Sequence, residues 1–383
     1  MNILLTIHHE LNPNAGAPGS ILKLGEAYQA LGHTVQYYSF DSLPHWIPQL
    51  AQGLVFPEFL ANYLTKPGVR SNLDIIDAST GDAWVWAKFF QNRHQRTPLL
   101  VTHSHGLEHT SHLAYLEEVR RGNQHASWKY PIYNGGYRLW EVATSLQHAE
   151  LVLMLNRQDA DFTIETFNIE AARVHVIANG IPEVFLDLPL EIASEEQNSL
   201  CHIVQIGTYI PRKGIQYSVP ALNAILNRHS QVKVSFLGTC CPADQVYADF
   251  DSTIRDRIHV VPRYCHEDLP GLIKGHHILL FPSLSEGFGL AVLEAMACGL
   301  APAVTNIPGA TEFVMHKENG ILFPARDSQA IEQTLEHLIC DRVLLNTLRQ
   351  NAYATAQAYS WMQIAQTRLL LYQNALKKRH CFR

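Results

Sequence analysis

Two carboxylates eight residues apart, Glu286 and Glu294, stand in the otherwise apolar stretch Ser283-Leu-Ser-Glu286-Gly-Phe-Gly289-Leu-Ala-Val-Leu-Glu294-Ala-Met-Ala-Cys-Gly299. Glu294 is the only charged residue from Gly287 to Val304. An ionised carboxylate in such surroundings is costly unless something hydrogen-bonds to it. The preceding His277-Ile-Leu-Leu-Phe-Pro282 reads as a strand, and Gly287 and Gly289 open a helix. Backbone N–H groups over Gly287, Phe288, Gly289 and Leu290 then suit a phosphate or sugar oxygen. Glu294, about one and a half turns into the helix, is placed to accept from a polyol such as ribose. An active site is expected here. The plainer reading is a Gly-rich turn of any α/β protein, with Glu294 in a structural salt bridge.

These residues need a scaffold, and the rest of the chain supplies its pattern. With 383 residues, two domains of ordinary size are expected, each with its own core. A charged fraction of 17% and an apolar fraction of 47% describe a globular chain rather than a disordered one. A formal charge of −6 excludes general affinity for nucleic acid or anionic membrane. Met1–Ile7 reads as a first strand, too short and without a basic region for a signal peptide. No apolar stretch reaches spanning length, although peripheral membrane contact stays open. Seven cysteines, all from Cys201 onward and without a C-x-x-C pair, read as reduced thiols of a cytoplasmic protein. Oligomeric state is not legible.

Short apolar runs alternate with amphipathic stretches. Strands are predicted at Asn2–Ile7, Thr34–Ser39, Asp74–Ala78, Pro98–Thr102, Glu150–Leu155 and Arg173–Ala178. They resume at His202–Gly207, Val232–Leu237, Ile258–Val261, His277–Pro282 and Ala301–Val304. Helical segments between them imply two doubly wound α/β domains with parallel sheets, whose strand carboxyl ends face a ligand cleft. The predicted boundaries are a first domain over 1–185, a linker over 186–200 and a second domain over 201–360. A terminal helix over 361–383 either crosses back to the first domain or packs on the second.

The E-x7-E pattern, set within Pro-Ser-x-x-Glu-Gly-Phe-Gly-Leu and Glu-Ala-Met-Ala-x-Gly, resembles the family 4 retaining glycosyltransferases, which have the GT-B fold. Other segments are similar in chain order. Gly207-Thr208-Tyr-Ile-Pro-Arg212-Lys213-Gly214 resembles the family's Gly-Arg-Leu-x-x-x-Lys-Gly stretch, which binds the donor diphosphate. Lys213 aligns directly, while Thr208 stands where Arg is usual. Loss of a charge-assisted contact costs roughly 1.5–3 kcal/mol. Arg212 compensates only if it turns inward, and a solvent-facing Arg212 is expected. Ala15-Gly16 aligns with a Gly-Gly loop near the diphosphate, where Gly allows close backbone approach.

Four histidines in ten residues, His103, His105, His109 and His112, raise a metal site, but the spacing fits no usual zinc motif and none is expected. The resemblance instead aligns His105-Gly106 with a His beside the transferred sugar. His103 and His109 are read as acceptor-side or structural. Asn179-Gly180 resembles the turn closing the family's first domain. Arg263 falls where the nucleotide base is bound, as a stacking partner or an exposed structural Arg. Asn306-Ile-Pro-Gly309-Ala-Thr-Glu312 and Asn319-Gly320-Ile-Leu-Phe323 continue the likeness.

The family resemblance implies transfer of a hexosyl unit from a nucleoside-diphosphate sugar to an acceptor hydroxyl with retention, without cofactor or metal. Lys213, Glu286 and His105 are the implied catalytic residues. Thr208, Arg212, Arg263, Gly16, the Gly287–Leu290 turn and Glu294 are implied to bind substrate. Alternatives are a nucleotide-sugar epimerase or phosphorylase of the same fold, or a non-catalytic sugar-nucleotide or glycan binder. The motifs leave the donor base, its sugar and the acceptor open. Two aromatic segments, around Trp46 and Trp128, could line an acceptor site but are expected to be ordinary packing.

Overall fold

The computed structural model describes residues 1–91, 97–191 and 200–381. Most of the expected linker, 192–199, lies outside them. The chain divides into two compact units. The first comprises Met1–Leu113, His125–Gly180 and Trp361–Arg383, and the second Ala114–Gln124 and Ile181–Ser360.

The first unit is built on a six-stranded sheet: β1 (Asn2–Thr6), β2 (Thr34–Tyr38), β3 (Ile75–Ser79), β4 (Leu99–His103), β5 (Leu151–Met154) and β6 (Val174–Val176). Its order is β2-β1-β3-β4-β5-β6, with every pair parallel. The central strands are buried along their whole length, as expected where helices cover both faces. Parallel pairing aligns the carboxyl ends, so Ser79 stands opposite His103 in the register.

The second unit repeats the plan with β7 (Cys201–Ile206), β8 (Val232–Leu237), β9 (Ile258–Val261), β10 (Ile278–Phe281), β11 (Ala301–Thr305) and β12 (Ile321–Phe323). The order is β12-β11-β10-β7-β8-β9, again parallel throughout. All eleven expected strands are present within about a residue or two of their ends. β12 was not expected, because three residues are too few to display a period.

The domain boundaries differ from the expected ones at two places. The crossing falls after Gly180 rather than at 186, and the Ile181 N–H donates to the Tyr359 carbonyl at 2.8 Å just before Trp361 leaves the second unit. Ala114–Gln124 belongs with the second unit because Glu118, almost fully buried, accepts from Arg326 Nε at 2.5 Å and from Gln216 Nε2 at 3.3 Å. A charged group taken from water needs such partners. The helix Trp361–Cys381 completes the first unit's core: Trp361, Ala365, Leu369 and Tyr372 pack with Ile3, Leu5, Tyr28 and Val101. No helix among the described residues is long and apolar enough to cross a membrane.

Candidate active site

In the second unit the chemistry-bearing residues gather after β7 and β10, which are adjacent strands. Lys213 ends a short 3-10 turn, Pro211–Lys213, that follows β7. Its Nζ donates to Glu286 Oε1 at 2.5 Å, and both side chains are largely shielded from solvent. Nζ also lies 5.2 Å from the centroid of the Phe281 ring. Burial alone would raise the Glu286 carboxyl; the Lys213 and Arg212 charges outweigh it and hold the group below the ordinary glutamate value. Glu286 is therefore an anion at neutral pH.

Arg212 is exposed, as expected, and from there Nη1 donates to the Ser285 carbonyl at 2.9 Å and to Glu286 Oε1 at 3.4 Å. The short helical turn points consecutive residues 212 and 213 at one carboxylate. Two cations thus attend Glu286.

The turn is held by Gly214. Its φ of +73° is open to glycine, and a Cβ here would lie 1.9 Å from the Pro282 carbonyl oxygen. Leu284 N–H donating to the Arg212 carbonyl at 2.9 Å closes the same junction. Gly214→Ala is expected to destabilise the chain by more than about 2 kcal/mol, from backbone strain plus a clash with main chain that has nowhere to move. Urea unfolding followed by circular dichroism measures this; a loss below about 0.5 kcal/mol, the range of neutral surface changes, would refute the packing described.

The helix Leu290–Ala297 starts from Gly289 in a left-handed conformation, φ +87°. The amides of such a first turn have no partner within the helix. Phe288 does not offer its side chain to this space: the ring is buried 5.1 Å from Phe313 and 6.4 Å from Tyr359. What Phe288 contributes is an anchor for the turn. Leu290 is half-buried.

Glu294 is buried in this helix, but it is not the unpartnered anion that its apolar sequence context suggests. His266 Nε2 donates to Glu294 Oε1 at 2.8 Å, and the His266 ring lies 5.3 Å from Phe185. The pairing spans twenty-eight residues of sequence, so no local pattern announces it. Arg263, in the same loop after β9, is exposed.

The first unit holds the remaining expected residues. Gly16 opens the helix Gly16–Ala30, with nothing within 4 Å of where its Cβ would stand. His105 follows β4, and its Nε2 lies 3.2 Å from both His103 Nε2 and Ser79 Oγ. Burial first, then neighbouring His103, hold the His105 ring well below the ordinary imidazole value, so it is neutral. His103 Nδ1 donates to Asp77 Oδ1 at 2.6 Å, and Tyr372 OH donates to Asp77 Oδ2 at 2.6 Å with Arg368 Nη1 at 3.4 Å. Burial would push Asp77 up; His103, then Arg368 and Tyr372, outweigh it and hold the carboxyl below its ordinary value.

His109 packs its ring 4.7 Å from Phe167, while His112 Nδ1 lies 3.0 Å from Tyr130 OH. The four histidines therefore do not converge. No group of three or more His, Cys, Asp or Glu placed to hold a metal occurs among the described residues.

Sequence reading missed a second polar cluster at the same sheet edge. Asp82, fully buried, accepts from Thr6 Oγ1 at 2.7 Å and from His8 Nδ1 at 2.6 Å. Arg138 Nη2 reaches His8 Nε2 at 3.1 Å, the Thr80 carbonyl at 2.8 Å and Glu108 Oε1 at 3.0 Å. The available signal was that His8, Thr80 and Glu108 each closely follow a strand end.

Comparison with known proteins agrees with this architecture. Residues 201–341 match the family model of the group 1 glycosyl transferases. An uncharacterized glycosyltransferase of Methanocaldococcus jannaschii is 24% identical over 241 residues, 59% of this chain and 60% of that protein. The chain thus spans about three-fifths of that relative's length. Among solved structures, sucrose-phosphate synthase of Thermosynechococcus elongatus superimposes with a TM-score of 0.77 at 21% identity, covering 98% of this chain and 99% of that one. HepE of Anabaena, crystallised with UDP, gives 0.69 at 19% identity, covering 98% and 100%. With two parallel sheets of this order the chain has the GT-B fold, and its segment that holds Lys213, Glu286 and Glu294 matches the group 1 glycosyl transferases.

Proposed function

We propose that this chain is a retaining glycosyltransferase that moves a hexosyl unit from a nucleoside-diphosphate sugar to an acceptor hydroxyl in glycoconjugate biosynthesis. The observation carrying the proposal is the convergence of Lys213, Arg212 and Glu286 at a glycine-started helix that also bears Glu294. Lys213 and the backbone amides of the turn stabilise the charge that develops on the departing diphosphate, the largest contribution fixed dipoles and cations make to such a step. Glu286 accepts from sugar hydroxyls. Glu294 accepts from the ribose diol alongside His266. His105 holds the sugar.

The acceptor oxygen attacks the anomeric carbon from the face that the diphosphate leaves, through an oxocarbenium-like transition state. The C–O bond to phosphate breaks, the new glycosidic C–O bond forms, and a diphosphate oxygen takes the acceptor proton. Configuration is thereby kept. The reaction draws its positive charge from side chains, and no cofactor enters it. HepE, of like fold, binds UDP in its crystals, which supports a nucleotide donor here. The free thiols at Cys201, Cys240, Cys241, Cys265, Cys298 and Cys340 support a reducing, cytoplasmic setting.

The test is a thermal-shift panel of uridine, guanosine and adenosine diphosphate sugars, followed by assay of nucleotide release and glycosyl transfer. A ligand at one hundred times its Kd stabilises the bound state by about 2.7 kcal/mol, so one donor class should raise Tm clearly. Nucleotide release without a stable activated-sugar product distinguishes transfer from epimerisation or phosphorolysis. Binding without any nucleotide release would leave only a binding protein, and no shift across the panel would remove the reading altogether.

A further inference from the structure

We infer that His266 is a positioning residue for donor binding: its Nε2–H fixes the orientation in which the Glu294 carboxylate meets a ribose diol. That the ligand carries a ribose rests on the proposed function; that His266 fixes Glu294 rests on the contacts.

Glu294 stands in the helix Leu290–Ala297 among Val292, Leu293, Ala295 and Met296, all fully buried. None of those side chains can donate a hydrogen bond, and a glutamate has several rotatable bonds along which to wander. The bond from His266 Nε2, at 2.8 Å, therefore decides where the carboxylate oxygens lie. A carboxylate has about four acceptor positions, so one N–H leaves room for the hydroxyls of a diol. The donated proton sits on Nε2 in a neutral ring of that tautomer and in a cationic ring alike, so the contact does not depend on the charge of His266.

His266 is itself held from outside the pair. The loop after β9 is tied to the loop after β8: the Gly238 N–H donates to the Val261 carbonyl at 2.8 Å and the Cys240 N–H to the Pro262 carbonyl at 3.0 Å. Tyr264 packs so closely on Gly238 that a Cβ there would lie 3.1 Å from its ring. His266 then opens a short 3-10 turn, His266–Asp268, which runs into the helix Leu269–Ile273, anchored by the buried Leu269 and Ile273. Phe185, fully buried, packs against the imidazole with ring centroids 5.3 Å apart. All of these residues belong to the second unit. A ring locked by packing is a fixed reference for a flexible carboxylate. Without it, the buried carboxylate would take up a proton or turn away from its apolar neighbours. Either result removes the strong acceptor that ribose hydroxyls meet.

Isothermal titration of the full chain tests this with the nucleoside diphosphate selected by the thermal-shift panel and, in parallel, with inorganic pyrophosphate, which lacks the ribose. His266→Ala should raise the Kd for the nucleoside diphosphate about tenfold, the lower value of one charge-assisted hydrogen bond, and leave that for pyrophosphate within about twofold. In steady-state transfer the donor KM should rise by a like factor with kcat changed less than about threefold, since a ribose contact is made equally in ground and transition states. His266→Gln, whose Nε2 can reach the same oxygen, should bring the affinity back to within about threefold of wild type. A His266 that only pairs a buried charge would lower Tm in His266→Ala and leave the Kd unmoved, and that result would overturn the inference. An equal loss for both ligands, or a folded Gln variant no better than Ala, would overturn it too. Should His266→Ala not fold, His266→Gln decides: near-native affinity supports the inference, and a tenfold loss refutes it. A wild-type chain that binds no nucleoside diphosphate would defeat the proposed function, and this inference with it.

Discussion

Lys213→Ala is expected to lower turnover by about 10²–10³-fold with the fold intact, the range found when one fixed charge-stabilising donor is removed from a reacting centre. The ammonium is buried beside Glu286 and a Phe281 ring, out of competition with water, so its field on a neighbouring diphosphate is little screened. Lysine loss also strands the Glu286 carboxylate with Arg212 alone at 3.4 Å. The carboxyl then rises toward neutrality because burial is no longer outweighed by two cations. Lys213→Arg should retain part of the activity, since the charge persists while its position changes. Steady-state kinetics with the donor found by the thermal-shift panel measure both. A change smaller than about threefold in kcat for Lys213→Ala would show that developing charge is borne elsewhere, with Arg212 the first candidate.

Arg368→Leu is expected to cost about 3–5 kcal/mol of stability, the usual penalty for removing one partner of a buried ion pair. Asp77 keeps His103 and Tyr372 but loses the guanidinium that faces it. All six tryptophans, Trp46, Trp84, Trp86, Trp128, Trp140 and Trp361, fall in the first unit. Intrinsic fluorescence during denaturant unfolding therefore reports that unit selectively. Replacing both partners, Asp77→Leu with Arg368→Leu, should be milder than the single change, because no uncompensated charge remains. A single-variant loss under about 1 kcal/mol would mean that the pair is solvated or dispensable.

Strand positions and sheet class were legible because buried parallel strands write themselves as near-continuous apolar runs, as β5 and β10 do. The loop residues of the second unit were legible for a different reason: Lys213 and Glu286 sit beside glycines whose backbone geometry leaves few alternatives. What escaped was every interaction between residues far apart in sequence. His266 on Glu294 is one such case, and the pairing of Glu118 with Arg326 is another. Asp77 reads from sequence as an ordinary strand residue, yet it organises Tyr372 and Arg368 from the terminal helix and His103 from β4. The aromatic segments divided. Leu43 and Ile47 pack into the core as expected, whereas Trp46 and Trp128 are each 76% exposed. Composition alone cannot separate those outcomes, since the flanking residues decide which ring faces inward.

The return of Trp361–Cys381 to the first unit has a bearing on biosynthesis. A nascent chain leaving the ribosome presents β1 to β6 early, but the surface formed by Ile3, Leu5, Tyr28 and Val101 stays uncovered until the last helix emerges. Residues 181–360 are complete before then and hold their own sheet and core. Vectorial synthesis thus favours closure of the later-made unit first, with the earlier-made one sealed only once Trp361–Cys381 has emerged.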